Sequence, residues 1–196
     1  MEKKLAARFD QLKREHPDAQ IGLWAMDEHR VALQPTTRRR WSPKGERVIE
    51  RVKPGYKWLY IWAWLRPATG ELEAWVSDKV DTAHHNALMD KVAKSLGLGA
   101  KRRILLVVDS AGWHTSNDLI IPEGIELFFL PPRTPELQPV ERLWTLTDEP
   151  LVGLATHDLS LVERLLSQRI CSLSSRPHLL RAHSCFRWWP ERPLHI

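Results

Sequence analysis

Ile104 to Val108 is an unbroken run of β-branched and leucine residues, and it constrains the fold more than any other stretch. A run this apolar and this short reads as a strand buried on both faces, so a sheet covered on both sides is required. The run closes on Asp109, and Ser110, Ala111 and Gly112 then open the chain into a loop that a ligand can approach closely. Ile21 to Met26 has the same character and ends at Asp27, which is read as the acid at that strand's exit. Tyr56 to Leu65 sets Trp58, Tyr60, Trp62 and Trp64 against Leu59, Ile61, Ala63 and Leu65, so both of its faces are apolar as well. Glu71 to Val76 returns as a strand after a turn at 67–70, and Ile125 to Leu130 supplies a fifth.

Helical spacing appears between and around these strands. Leu5, Phe9 and Leu12 fall on one face of a helix stopped before Pro17, and Asp81 to Leu96 reads as a second. A third opens near Pro139 and runs to about Leu146, and a fourth spans Leu159 to Leu173. The end, Arg176 to Ile196, reads as irregular. Hairpin-like strands followed by alternating helix and strand predict an α/β domain, a mixed five-stranded sheet flanked by helices. The expected parts are an N-terminal linker helix over 1–17, a catalytic core over 18–150, and a C-terminal helical extension of the same domain over 151–196.

Composition narrows the function. Lys and Arg outnumber Asp and Glu, 29 to 24, for a formal charge of +5 and a pI of about 9.4, a balance suited to nucleic acid. Cys171 and Cys185 are the only cysteines, and with no CxxC spacing they indicate neither a disulfide framework nor a zinc site. No apolar stretch approaches the roughly 20 residues of a spanning helix, and no signal-peptide core opens the chain, so a cytoplasmic protein is expected.

Three acids stand out against this background. Asp27 and Asp109 converge if their strands are parallel neighbours, because ligands of open α/β sheets sit at the carboxyl ends of strands. Glu141 comes from LPPRTPELQPVERLW, where Pro131, Pro132 and Pro135 stiffen the approach and Pro139 takes a first helical position, leaving Glu141 near the third. Taken singly, each acid has a plain structural explanation. A strand-end Asp suits a turn, and a Glu in a first helical turn gains about 0.3–1 kcal/mol from the helix dipole. Together, three carboxylates from separate elements make an oxygen-rich site for a hard divalent cation, and with it phosphate chemistry.

The sequence resembles the DDE transposases of bacterial insertion sequences in the mariner superfamily. The likeness is carried by WAMDEHR (24–30), LLVVDSAGWH (105–114), the proline-rich segment above, and RRRWSPKGER (38–47). It implies an RNase H-like fold with Asp27, Asp109 and Glu141 as metal-binding catalytic acids, the last two 32 positions apart. It further implies two Mg²⁺ ions, with Mn²⁺ as a substitute, acting in hydrolysis at transposon ends and strand transfer into target DNA. The implied partners are double-stranded DNA and, in the active complex, a second copy of the chain; the implied setting is the bacterial nucleoid. Where the family commonly has asparagine, this chain has Ser110 and Gln138.

Arg38, Arg39, Arg40 and Lys44 are expected on the DNA backbone, with Lys101, Arg102 and Arg103 either there or on ordinary solvated surface. His114 is read as touching DNA or the leaving group, or as a hydrogen-bonding residue of the loop, and not as a metal ligand. Trp41 and Trp113 are candidates for stacking on bases, Trp144 for anchoring its helix. Only Met1 to His16 precedes the first strand, so the family's helix-turn-helix module is expected on a separate chain, unless this is an excised or relic catalytic domain. Two other activities stay open: a catalytically silent transposase-derived DNA-binding protein, and an RNase H-like nuclease.

Overall fold

The computed structural model describes residues 1–33, 42–46, 56–112 and 114–191. Arg38, Arg39, Arg40, Trp41 and Trp113 lie outside the described residues. The five strands are β1 (Gln20–Ala32), β2 (Trp58–Arg66), β3 (Glu71–Ser77), β4 (Arg102–Val108) and β5 (Ile125–Phe129). They form one sheet in the order β3-β2-β1-β4-β5. β1 runs parallel to β4, and β4 to β5, whereas β2 lies antiparallel to both β1 and β3. The helices are α1 (Glu2–Glu15), α2 (Thr82–Ser95), α3 (Glu141–Thr147), α4 (Leu159–Ser174) and α5 (Pro177–Ser184).

Period-two alternation in the strands divides the core into two layers. Leu23, Ala25, Ile61, Ala63, Leu65, Leu105 and Val107 face one way, onto Leu5, Phe9 and Leu12 of α1, Leu143 of α3 and Leu166 of α4. Trp24, Met26, Trp62, Trp64, Leu106 and Val108 face the other way, onto Leu88, Met89 and Val92 of α2. The expectation of helices on both faces therefore holds, and so does that of a β2 apolar on both sides, since Ile61 to Leu65 are all fully buried. An ion pair from Arg8 to Glu126 also ties α1 to β5.

Two expectations are corrected. β1 does not stop before Asp27 but continues through Ala32, for thirteen residues in all. Parallel pairing with β4 ends at Ala25 and Val107, while antiparallel pairing with β2 carries on from Asp27 opposite Ala63 to Ala32 opposite Trp58. The polar stretch Asp27–Arg30 stays in the sheet because β2 satisfies its backbone, a long-range pairing that local polarity does not announce. The tail is also more regular than expected, for Pro177 opens α5, whose Leu180 is fully buried. Eight residues are too few for helical spacing to declare itself, and packing against the core supplies the stability instead.

The β2–β3 hairpin turns at Gly70, whose φ is +82°. A Cβ there would lie 1.9 Å from the backbone oxygen of Pro177, at the start of α5. Left-handed strain alone costs about 1–3 kcal/mol, and relieving the clash would move backbone. Gly70→Ala is expected to destabilise the fold by about 3 kcal/mol or more in urea denaturation; a loss under about 1 kcal/mol would show that α5 yields freely.

Candidate active site

β1 and β4 are parallel neighbours, so the acids they carry come together. Asp109 follows the last residue of β4, and Asp27 sits two residues past the end of parallel pairing, where β4 no longer covers β1. By alternation Asp27 belongs to the α3 face. Glu141 begins α3, two residues later than Pro139 had suggested, because tight i to i+3 bonds such as Leu143 N–H to Val140 O (2.8 Å) open the helix. Asp27, Asp109 and Glu141 line a single cleft of about 250 Å³, together with Ser110, Arg133 and Gln138.

The proline-rich segment is fastened to the sheet beside the acids. Gln138 is 3% exposed, and its Nε2 donates to the Met26 carbonyl at 2.9 Å. Trp144 anchors α3 as expected, its indole nitrogen 3.4 Å from Asp27 Oδ2 and its ring stacked on His29 at 5.0 Å. His29 in turn meets Asp148 at 3.0 Å. Arg133, the one non-glycine with a positive φ (61°) among the described residues, lines the cleft with a cation that the motif reading does not single out.

The acids repel one another. Burial pushes the Asp27 carboxyl well above its ordinary value of 3.8, and the charges of Glu28, Glu141 and Asp109 push it further. Glu141 is also raised, by burial and by Asp109, against the opposing pull of His29. Asp109 moves the other way, because it accepts hydrogen bonds from His114 Nδ1 (2.8 Å) and the Ala111 N–H (3.0 Å). A buried carboxyl crowded by carboxylates lacks positive charge, and an all-oxygen donor set of this kind suits a hard divalent cation.

His114 does not stand where DNA could reach it. It is 1% exposed, with Nδ1 on Asp109 and Nε2 3.1 Å from Glu28 Oε1. Burial would lower its pKa, yet the bonds and charges of Asp109 and Glu28 outweigh that and raise it to about 9. It serves as an inner hydrogen-bonding residue of the loop. Glu28 was missed by motif reading because it looks like an ordinary strand acid; its place next to Asp27 was the available signal, since neighbours on a strand face opposite sides of the sheet. Of the expected DNA contacts, Lys44 is exposed in the short turn at 42–46. Lys101, Arg102 and Arg103 stand at the start of β4, the far end from Asp109.

A family model described as DDE superfamily endonuclease matches residues 22–153, more than half of the chain. The chain belongs to the DDE superfamily endonucleases. The match runs from β1 past α3 and so contains all three acids. An uncharacterized protein of Sinorhizobium fredii (strain NBRC 101917 / NGR234), y4pE/y4sA, is 38% identical over 87 residues, 44% of this chain and 63% of its own length.

Among solved structures, the Mos1 strand transfer complex superposes with a TM-score of 0.59 at 16% identity, covering 95% of this chain and 57% of the Mos1 chain. The Mos1 mariner paired end complex with Mn gives 0.55 at 14%, covering 93% and 57%. This DDE endonuclease thus has an RNase H-like fold, which it shares with the Mos1 chains, and it spans less than two thirds of the length of these relatives. Among the described residues, no helix is long and apolar enough to cross a membrane.

Proposed function

We propose that this DDE endonuclease is the catalytic domain of a DNA transposase, hydrolysing phosphodiesters at transposon ends and joining the freed ends to target DNA. The observation that carries the reading is the convergence of Asp27, Asp109 and Glu141 on one cleft at the β1/β4 junction. The Mos1 paired end complexes solved with Mn and with Mg lend support from the fold they share with this chain. Asp27, Asp109 and Glu141 would hold two Mg²⁺ ions, or Mn²⁺ in their place. When bound, such ions activate the attacking oxygen and neutralise charge on the phosphate and leaving oxygen.

The chain's own residues arrange the rest. Trp144 and Gln138 hold Asp27 and the proline-rich loop in register, and His114 orients Asp109. Arg133 at the cleft contacts a DNA phosphate, and Lys44 with Arg38, Arg39 and Arg40 adds contacts to the DNA backbone. In hydrolysis the oxygen of water bonds to phosphorus as the bond to the 3′-oxygen breaks, and that oxygen leaves as a hydroxyl. In strand transfer the same 3′-hydroxyl oxygen bonds to a target phosphorus as the target's own bond to its 3′-oxygen breaks, the attacking hydroxyl's proton passes to that leaving oxygen, and one site serves both steps. Two transposon ends call for two copies of the chain, and recognition of end sequences falls to a helix-turn-helix module.

The test is incubation of the protein, with and without a helix-turn-helix partner, with labelled transposon-end DNA and Mg²⁺ or Mn²⁺. Metal-dependent nicking at the ends is expected. Absence of cleavage under every partner and metal condition overturns the reading in favour of a silent DNA-binding protein. Cutting of RNA in RNA–DNA hybrids, with DNA left intact, assigns the site to an RNase H-like nuclease instead.

A further inference from the structure

Behind the cleft, on the α2 face of the sheet, lies a second set of ligand-type side chains. One ligand atom each from Glu28, His85 and His114 falls within 4.8 Å of the others. His85 and His114 are 0% and 1% exposed, and the Glu28 side chain is 6% exposed. The set joins three elements, β1, α2 and the loop after β4. Its rings pack closely: His85 stacks on Trp62 with centroids 5.7 Å apart, and His114 lies 4.9 Å from His85.

His85 is the member that ordinary packing leaves unexplained. Both of its ring nitrogens are sealed from solvent, and neither has a hydrogen-bond partner among the described residues. Unmet polar groups in a core oppose folding, and an apolar residue stacked on Trp62 would avoid the penalty. Burial and the neighbouring His84 and His114 hold its pKa down to about 3, so its lone pair is available. His114 is set up from its other side, for Nδ1 is engaged by Asp109 at 2.8 Å while Nε2 points toward Glu28. A carboxylate gripping the far nitrogen of an imidazole is the usual outer support of a metal-bound histidine.

We infer that Glu28, His85 and His114 bind a first-row transition-metal ion of the Zn²⁺ type. Two imidazoles and one carboxylate make a three-ligand set suited to a four-coordinate ion, chemically distinct from the all-carboxylate cleft. The ion takes the place of the direct contact between His114 Nε2 and the Glu28 carboxylate. It also fixes the ring that holds Asp109, so its role toward the cleft is positioning. No cysteine takes part, which is why cysteine spacing gave no sign of it. The binding site stands on its own geometry, whether or not the cleft cleaves DNA.

Co²⁺ titration of the chelator-treated full chain tests this. One equivalent should bind with the intense visible absorption of a low-coordinate, nitrogen-containing site, and Zn²⁺ should displace it. The signal should persist in Asp27→Asn and Glu141→Gln, which alter only the cleft. His85→Phe preserves the stacking on Trp62 and should weaken binding by at least about a hundredfold. If circular dichroism shows that His85→Phe does not fold, Glu28→Gln takes its place with the same expected loss. Absence of the intense absorption in the unaltered chain overturns the inference. So does a signal that vanishes in Asp27→Asn yet survives in His85→Phe or Glu28→Gln, because the ion would then belong to the cleft. Failure of DNA cleavage leaves all of these outcomes unchanged.

Discussion

Asp109→Asn is expected to reduce metal-dependent DNA cleavage by about a thousandfold or more while leaving the fold intact. Asp109 is about half exposed at the end of β4, so the amide replaces the acid without disturbing the core. Its pKa is held down by the hydrogen bond from His114, with the Ala111 N–H adding to it, so it is a full anion at neutral pH and the most ready of the three acids to take a cation. Lewis-acid assistance contributes several kcal/mol to phosphoryl transfer, and each ~1.4 kcal/mol is a factor of ten in rate. Cleavage of labelled end DNA in Mg²⁺ and Mn²⁺ measures the loss, with thermal unfolding of the metal-free variant as the control for folding. Retention of more than a tenth of the activity would remove Asp109 from the metal set.

Asp27→Asn is expected to lose cleavage to a similar extent, yet to stabilise the metal-free protein. Burial, and then the charges of Glu28, Glu141 and Asp109, raise the pKa of Asp27 above its unfolded value, so folding favours its protonated form. The stability it contributes is complete below its ordinary value of 3.8 and is lost as pH rises through the raised folded value. Asp109 acts in the opposite sense, since its lowered pKa contributes stability that is lost as pH falls below the ordinary carboxylate range. As pH rises above the ordinary carboxylate value and through the raised value of Asp27, the metal-free wild type should therefore soften, and Asp27→Asn should flatten that slope. Mg²⁺ at a hundred times its Kd should stabilise the wild type by about 2.7 kcal/mol and the variant by much less. Denaturant melts at several pH values, with and without Mg²⁺, check both parts. A variant less stable than wild type in the absence of metal would show that the Trp144 contact outweighs the repulsion.

The distinction between the two faces of β1 matters for reading these results. Asp27 and Glu28 are consecutive, yet one faces Trp144 and the other His114. Substitution of His114 should reach the cleft through Asp109, and substitution of Glu28 also through its charge on Asp27, whereas substitution of Asp27 acts in the cleft directly. Of the two readings the sequence left open for His114, the structure favours the hydrogen-bonding residue of the loop. Its position five residues after Asp109 marks it as part of the site, and burial holds it between Asp109 and Glu28.

What the chain makes legible by itself is everything carried by local periodicity and strong punctuation. The apolar runs specify β2, β4 and β5, the spacing of Leu5, Phe9 and Leu12 specifies α1, and the prolines before Glu141 mark a stiff approach to a helix. The three acids were legible for the same reason, since each borders an apolar or proline-marked segment. Only the tertiary structure decided how far β1 extends, because its polar half depends on backbone pairing with β2, some thirty residues further on. It alone turned Pro177–Ser184 into a helix, since eight residues need a core to lean on. It alone also brought His85 of α2 against Glu28 and His114. No periodicity within one segment encodes an approach between three, for such contacts arise when hydrophobic burial closes the layers of the sheet.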